Sequence, residues 1–493
     1  MAPLDLAAQA YVDVLLALTL IVALLILVSS TDDAFVDVYY WLRSAWRRRL
    51  VIGGRGSPMS LERLCKRKEL PIAIMVPAWQ EADVVAAMID NTVNSLDYEA
   101  FRIFCGVYRN DPATRREVDR MAARYPQRVT RIDVPHDGPT SKADCLNSIV
   151  GHILGEERAG GEHFAGMVLH DCEDVVHPLE LKLFNVLIPG RDLVQLPVFS
   201  LERRWRQLVA STYIDDFAEA HGKDMLVRED LAGSVPGAGV ATCYNRHGMA
   251  ALWASFGGAP FNTASLTEDY DISFRLRAMG LSQSFAHVQV AFEAIRPTQV
   301  PGATGSIIST HEYFPHRFRA AVRQRARWVL GIAFQGWREV GWYGSAFERY
   351  FFFRDRKALV MAPASALAYL VIANLACVAA FGSRELYSHI DHALSQPAMA
   401  TLLGVNLVFM ANRVLQRMYF VGQYYGLVHA LLAVLRIPLN VFINFFAVMR
   451  AWRLYLRHAL LGHKLAWDHT AHAFPGPAVP PSRSRATAPS EVS

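Results

Sequence analysis

Apolar residues are concentrated toward the two ends of the chain, and the first concentration predicts a membrane anchor. Residues 11–28 form an eighteen-residue run with one charge near its start, and arginines follow at 43 and 47–49. At about 1.5 Å of rise per residue, this run is just long enough to cross a bilayer core of about 30 Å. Lys and Arg do not precede the run, and no small-residue cleavage site follows it. We therefore expect an uncleaved anchor with an outside N-terminus and a cytoplasmic C-terminal flank; a cleaved signal peptide is the alternative.

Apolar runs resume in the last third of the chain, at 358–381, 398–410 and 419–449. Polar residues and a proline interrupt the last run at 436–440, and basic residues follow it. A cytoplasmic C-terminus after an outside N-terminus requires an odd number of crossings, so three and five are both possible. Five crossings are the preferred prediction.

Between these regions the chain has the pattern of a soluble α/β domain. Short apolar stretches alternate with amphipathic ones, and charges, Gly and Pro recur throughout. The first unit has a strand at Ile72–Val76, a turn at Pro77 and a helix with apolar residues at 84–89. Repeated strand, loop and helix predict a mostly parallel, Rossmann-like sheet that binds ligands at the carboxyl ends of its strands. Further strands are predicted at Phe101–Val107, Val129–Val134 and Met167–Leu169.

Composition narrows the class of protein. Of the 493 residues, 52% are hydrophobic and 19% charged, and the mean hydropathy is +0.16. These values exclude disorder as the main state and fit one large domain with membrane segments. The net charge of +5, from 50 basic and 45 acidic residues, is too balanced for a nucleic-acid-binding protein. Six scattered cysteines without a CxxC pair predict neither disulfides nor a structural zinc site, and they fit a reducing compartment.

Two acidic segments are candidate metal-binding or catalytic sites. The fourth predicted strand ends in HDCED at 170–174, whose carboxylates could chelate Mg²⁺ or Mn²⁺ and offset the charge on a leaving nucleotide. Acidic turns are more often solvated loops than metal sites. The position of this one directly after a buried strand is what favours a metal site. Leu266–Asp269 opens an amphipathic helix, where Thr267 can act as the N-cap and the acids suit the helix dipole. No GxGxxG or Walker loop occurs, so phosphates must be held in another way.

Six motifs occur in an order that resembles the processive family 2 glycosyltransferases, which have a GT-A fold. They are VPAWQE at 76–81, Asp111, SKADCLN at 141–147, Asp171-Cys172-Glu173, TED at 267–269 and QRARW at 324–328. The resemblance extends through PGAGVATCYNRHG, HEYFPHRF and GIAFQGW, at 236–248, 311–318 and 331–337, to the bacteriophage adsorption protein B group of inner-membrane glycosyltransferases. It covers roughly residues 5 to 470. Larger members of the group carry a C-terminal cyclic-di-GMP-binding domain, which this chain is expected to lack.

The resemblance implies a role for each matching residue. Asp269 is the implied general base of an inverting transfer, with Glu268 beside it in the catalytic site. Asp171 and Glu173 match the DxD metal motif, with Glu in place of the usual second Asp, and Asp174 is an alternative ligand. The implied donor-binding residues are Pro77, Trp79, Glu81, Asp111, Lys142, Asp144, Asp171 and Arg327. The implied acceptor-binding residues are Gln324, Trp328, Gly237 and Gly239.

The QRARW motif lies within Phe318–Trp337, where arginines alternate with apolar residues. This pattern predicts an amphipathic helix along the inner leaflet, with basic side chains that contact anionic membrane lipids. The resemblance adds a second role for the same helix, with Arg327 near the diphosphate and Trp328 under the acceptor sugar.

The resemblance implies an inner-membrane enzyme that uses a UDP-sugar and Mg²⁺ or Mn²⁺ to extend a growing glycan and pass it outward. The donor is expected to be a UDP-N-acetylhexosamine, and a periplasmic or outer-membrane export partner is expected. Transfer of a single sugar to a lipid carrier is the first alternative. A receptor or scaffold for a phage or an outer-membrane partner is the second.

The predicted organisation has five parts. They are a membrane anchor with its basic flank at 1–50, a cytoplasmic GT-A domain at 51–317, interface helices at 318–357, a C-terminal membrane region at 358–460 and a disordered tail at 461–493.

Overall fold

The computed structural model describes residues 3–52, 59–204, 206–290, 307–463 and 473–475. Most of the tail that was predicted to be disordered therefore lies outside the described residues. The helices are α1 (Pro3–Ile52), α2 (Leu61–Lys66), α3 (Val85–Ser95), α4 (Pro112–Arg124), α5 (Lys142–Arg158), α6 (Glu180–Leu187), α7 (Leu208–Glu219), α8 (Met225–Ala232), α9 (Arg246–Ser255), α10 (Glu268–Ala278), α11 (Phe318–Val329), α12 (Gly336–Glu339), α13 (Ala346–Phe381), α14 (Arg384–Leu394) and α15 (Pro397–Leu461). The strands are β1 (Ile72–Pro77), β2 (Phe101–Tyr108), β3 (Val129–Val134), β4 (Gly166–Leu169), β5 (Leu193–Gln195), β6 (Val198–Ser200), β7 (Thr242–Asn245), β8 (Gln283–Phe285) and β9 (Thr310–Glu312). Two π-helical turns occur at Ala220–Asp224 and Leu330–Gln335.

The central sheet has seven strands in the order β3-β2-β1-β4-β7-β5-β8. Strand β7 pairs antiparallel with β4 and β5, and the other pairs are parallel. The prediction of a mostly parallel α/β sheet is confirmed. A second, two-stranded sheet joins β6 to β9, and a bridge from His311 to Val175 attaches it to the acidic segment after β4.

Strand β1 is apolar on both faces because helices cover both sides of the sheet. Ile74 faces the cluster that includes α3 and α4, whereas Met75 faces the cluster that includes α5, α9 and α10. Alternate residues of a strand point to opposite faces, so a continuous apolar run is what a doubly covered strand requires. This burial fixes where β1 and β4 end, and their carboxyl ends carry the candidate site.

Three helices in the described part of the chain are long and apolar enough to cross a membrane, namely α1, α13 and α15. Helices α1 and α13 run antiparallel, since Asp32 pairs with Arg354 at one end and Tyr11 donates to Asn374 at the other, at 2.7 and 2.6 Å. The first part of α15 runs alongside α1, where Asn406 donates to the Ala23 carbonyl.

The number of crossings stays a prediction, and the feature that bears on it most directly is a kink in α15. At Gly426 the backbone has φ of 80°, a conformation that favours glycine. Tyr425, just before the kink, donates to the Ser200 carbonyl, and Arg436, after it, pairs with Asp215. Both contacts are made to the sheet-containing domain, and residues of α15 after the kink also line a cavity together with α1 and α13. Three helices of spanning length in the described part of the chain favour three crossings, the other count that the charge pattern left open.

The segment Phe318–Trp337, predicted as one amphipathic helix, is divided into α11, the π-helical turn Leu330–Gln335 and α12. Its arginines do not share one environment. Arg319 and Arg323 are exposed, whereas Arg325 is buried and donates to Asn440 and Asn444 of α15, at 2.7 and 2.6 Å. The segment therefore joins the membrane helices to the sheet domain.

Candidate active site

The acidic segment after β4 is held by a buried brace. His170 is fully buried, with Nδ1 2.8 Å from Asp174 and Nε2 2.6 Å from Glu180. Burial favours the neutral imidazole, but Glu180 and Asp174 outweigh it and raise the pKa of His170 to about 10. Asp174 also accepts from the backbone N–H of Asp171. Asp174 is therefore fully buried and bonded within the fold, and Asp171 is the more exposed acid.

A cavity of about 60 Å³ lies at the carboxyl ends of β1 and β4. Six of the predicted donor and metal residues line it, and three neighbours that were not predicted, Tyr108, Thr140 and Ser141, complete one wall. The indole of Trp79 meets the Tyr108 ring edge-on at 5.1 Å between centroids, and the Tyr108 hydroxyl is 2.6 Å from Thr140 Oγ1. The predicted residues in the lining are Pro77, Trp79, Glu81, Lys142, Asp171 and Glu173.

Asp111 and Asp144, two other predicted donor residues, stand outside the lining of this cavity. Asp111 is the N-cap of α4, and its carboxylate also accepts from the Gln80 N–H at 2.6 Å. Gln80 has φ of 57°, so this bond holds a strained turn directly before Glu81. Asp144 lies in the first turn of α5, where its carboxylate is 3.3 Å from His136 Nδ1.

Lys142 connects the separate motifs. Its Nζ lies 2.6 Å from Asp171 Oδ1, donates to the Gly239 carbonyl at 3.0 Å and is 3.9 Å from Glu268 Oε1. Burial alone would lower the pKa of Lys142, but Asp171 and Glu268 raise it above its ordinary value. A permanently charged ammonium group is therefore located among the DxD, PGAG and TED motifs.

Glu268 and Asp269 lie in the first turn of α10, close to Lys142. Burial raises the pKa of Glu268 to about 7, against the opposing effect of Lys142. Burial also raises the pKa of Asp269, while Lys142 and Arg327 lower it. Thr267 occupies the N-cap position, but its side chain makes no capping hydrogen bond, so the capping interpretation of the TED motif is wrong for that side chain.

The two predicted glycines allow the PGAG loop to approach α10 closely. A Cβ at Gly237 would lie 2.8 Å from Ser273 Oγ and 2.9 Å from the Asp269 carbonyl. Gly239 has φ of 78°, and a Cβ there would lie 3.0 Å from Asp269 Oδ2. A larger residue would crowd the Asp269 backbone at position 237 and its carboxylate at position 239, so both positions favour glycine.

The QRARW motif approaches this site through Arg327. Its guanidinium donates to the Leu266 carbonyl at 3.3 Å, two residues before Glu268. Trp328 is half-buried, and its ring lies 6.0 Å from Tyr213 and 6.5 Å from Phe314, between centroids. Gln324 Oε1 is buried without a hydrogen-bond partner among the described residues. The structure thus brings Arg327 to the acids, while Trp328 packs in an aromatic cluster beside them.

The residues at β4 fit a divalent cation that is shared with a diphosphate. Asp171 and Glu173 supply oxygen ligands of the kind that Mg²⁺ and Mn²⁺ prefer. Within the described residues, no group of three or more His, Cys, Asp or Glu side chains is placed to hold a metal ion. Such an ion would have to take its remaining ligands from phosphates and water, which is how Mg²⁺ is commonly bound at phosphate sites.

Sequence reasoning missed several residues of the site. Tyr108 is the last residue of β2, and Trp79 comes shortly after the end of the neighbouring β1, so the strand-end position could have indicated Tyr108. Glu312 belongs to the quoted HEYFPHRF motif; burial and the charges of Asp174 and Glu173 raise its pKa well above the ordinary value. The buried brace around His170 could also have been predicted from the sequence, because a histidine next to acids at a strand end can pair with them.

The fold and the arrangement of acids define an α/β transferase of the GT-A kind, with its site at the carboxyl ends of the parallel strands. The model of the family described as Glycosyltransferase like family 2 matches residues 70–331, more than half of the chain. The chain therefore belongs to the family 2 glycosyltransferases.

Two curated relatives are similar over most of this chain. They are Bacteriophage adsorption protein B of Escherichia coli strain K12 and Bacteriophage N4 adsorption protein B of Escherichia coli O157:H7. Each is 44% identical over 468 residues, which is 93% of this chain and 62% of the relative. Among solved structures, the mannosyltransferase PcManGT from Pyrobaculum calidifontis, in complex with GDP-Man and Mn²⁺, matches 81% of this chain and 98% of its own, with 16% identity and a TM-score of 0.48.

Proposed function

We propose that this glycosyltransferase binds a UDP-sugar, with UDP-N-acetylhexosamine as the expected donor, and transfers the sugar with inversion to a growing glycan. The observation that carries the proposal is the placement of Lys142 within 3.9 Å of Asp171, Gly239 and Glu268. Asp269 would take the proton from the acceptor hydroxyl. Lys142 and a cation held by Asp171 and Glu173 would offset the charge on the departing UDP.

A cavity between the membrane helices supports extension and outward passage of the product. It has a volume of about 460 Å³, is lined by α1, α13 and α15, and reaches Val329 next to the QRARW motif. Its charged lining residues are largely paired, as in Arg354 with Asp32 and Arg417 with Asp216, so it favours a neutral ligand. Four asparagines also line the cavity, namely Asn406, Asn412, Asn440 and Asn444.

The second candidate is transfer of a single sugar to a lipid carrier. The observation that favours it is the small number of helices, since three is few for a complete polymer channel. In both proposals the enzyme belongs to the inner membrane and its α/β domain faces the cytoplasm. In the first, an export partner receives the polymeric product in the periplasm. A phage or outer-membrane scaffold is the third possibility, and the catalytic acids count against it.

The test is release of UDP by the purified full chain in detergent over a panel of UDP-sugars, with Mg²⁺ or Mn²⁺, and with products sized on a gel. One active donor and a high-mass product would support polymerisation. A short, lipid-soluble product would support the carrier. No transfer with any donor, even after co-expression with candidate export partners, would contradict the enzymatic proposal.

Metal use has its own test. Asp171→Ala should weaken donor binding about tenfold or more in the presence of Mn²⁺, because it removes one of two carboxylate ligands. Asp119→Asn, at an exposed acid of α4, is the matched control. Equal donor affinity of Asp171→Ala and the control, with and without Mn²⁺, would contradict the metal assignment.

A further inference from the structure

The GIAFQGW segment has no assigned role, yet it lies against the catalytic acids. It follows the QRARW motif, and its first five residues lie in the π-helical turn Leu330–Gln335. Single π-helical turns inside α-helices are rare and occur frequently at functional sites. The contacts of Gln335 and Gly331 show which element this turn serves.

Gln335 binds the backbone that leads into the TED motif. Its side-chain Oε1 accepts from the Leu266 N–H at 2.9 Å, and its Nε2 donates to the Ala264 carbonyl at 2.9 Å. Both Gln335 and Leu266 are buried, so water cannot replace these bonds readily. Since Arg327 donates to the Leu266 carbonyl, both polar backbone groups of Leu266 are held by the same helical segment.

Gly331 lets this segment approach the loop closely. A Cβ at position 331 would lie only 2.3 Å from Thr267 Oγ1 and 2.6 Å from its Cγ2. Thr267 immediately precedes Glu268, the first residue of α10. Gly331 therefore fixes the distance between the π-helical turn and the start of the catalytic helix.

The π-helical turn explains why these contacts fall on one face. Arg327, Gly331 and Gln335 are four residues apart. In a regular α-helix, residues eight apart drift by about 80° around the axis, because each turn takes 3.6 residues. The wider π turn offsets part of this drift, so that all three residues contact residues 264–267.

We propose that Gln335 is a positioning residue, which acts with Gly331 to set the place of Glu268 and Asp269 relative to the donor. The inference rests on the proposed function for its catalytic consequence, but the contact itself does not depend on it. A general base must lie within about 3 Å of the hydroxyl that it deprotonates, and small displacements of reacting groups lower rates steeply. The membrane-proximal helices would thereby hold the base in place.

The experiment compares Gln335→Met, which keeps the side-chain length but removes both hydrogen bonds, with Arg338→Gln on the exposed side of α12. Purified full chains are assayed for sugar transfer, for UDP binding and for hydrogen exchange of a peptide spanning residues 264–270. We expect Gln335→Met to lower kcat about 10-fold to 100-fold, with UDP affinity and donor KM unchanged. Exchange at Leu266 should be faster, and Arg338→Gln should match the parent chain.

Gly331→Ala is the second variant, and it should also lower kcat without a change in UDP affinity, because the added methyl group displaces Thr267. Unchanged exchange at Leu266 in Gln335→Met would overturn the proposal whatever the activity. Transfer by both variants within twofold of the parent chain would overturn it too, as would a loss of UDP affinity equal to the loss of kcat. If the parent chain transfers no sugar, the proposed function fails, and the exchange measurement alone decides the role of Gln335.

Discussion

Asp269, the proposed general base, is held in one orientation by its neighbours. Its backbone is fixed by Ser273, which donates to its carbonyl at 2.7 Å, and Oδ1 accepts from the Tyr270 N–H at 2.8 Å. Oδ2 faces Gly239, where no side chain blocks it. The carboxylate is thus oriented, and it lies close to Lys142 and to the backbone of Gly239.

Asp269→Asn should reduce sugar transfer about 100-fold or more while UDP binding stays unchanged, because the amide keeps the shape but cannot accept a proton. Transfer is measured as product formed from the active UDP-sugar, and binding by calorimetry. Asp119→Asn again serves as the control. Normal transfer by Asp269→Asn would refute its assignment as the base.

The same acids predict a pH dependence. Burial raises the pKa of Glu268 to about 7 and raises that of Asp269, so the protonated forms persist toward neutral pH. A base works only when ionised, so kcat/KM should fall as the pH is lowered from neutral and Asp269 becomes protonated. Glu268→Gln removes a neighbouring negative charge, which should lower the pKa of Asp269 and shift this limb to lower pH. An unchanged limb in that variant would show that the pair does not control the rate.

At the scale of elements, the strands of the central sheet were the most predictable part of the fold. Strand β3 has the predicted bounds, and β1, β2 and β4 differ by one residue, because short apolar runs ended by Pro, Asn or Asp are unambiguous. The antiparallel direction of β7 was not predictable, since direction depends on pairing partners distant in sequence. The π-helical turn at 330–335 was missed because its residues read as ordinary helix, and its contacts with Thr267 are visible only in three dimensions.

The buried ion pair between α7 and α15 leads to a prediction about stability. Arg436 and Asp215 are both fully buried and pair at 2.6 Å. Arg436→Met should destabilise the protein by about 3 to 5 kcal/mol, because it leaves Asp215 as an uncompensated buried charge. The double variant Arg436→Met with Asp215→Leu should recover most of this loss. Thermal unfolding in detergent measures both; equal stability of the single and double variants would argue against a charge-specific tie.

At the scale of the whole molecule, charge and hydropathy leave two membrane topologies, and contacts between distant segments bear on the choice between them. The residues on either side of Gly426 bind the sheet domain, through Tyr425 to Ser200 and Arg436 to Asp215. Sequence could not reveal these contacts, since each joins residues more than two hundred positions apart. Five crossings would place the polar break at 436–440 outside the membrane, whereas three would keep it near the catalytic domain, which the pairing of Arg436 with Asp215 favours.

Cysteine labelling in intact cells distinguishes these topologies. With the exposed Cys65 and Cys377 replaced by Ser, single cysteines are placed at Ser395, after α14, and at Leu435, which is 74% exposed. A membrane-impermeant maleimide added outside should label position 395 and leave 435 unlabelled, because both halves of the kinked helix keep 435 near the catalytic domain. Labelling at 395 shows that the reagent reaches the outer face. Labelling at 435 from outside would support five crossings. Arg436 could then not pair with Asp215, so the protein from the same cells should lack the stability that this pair provides.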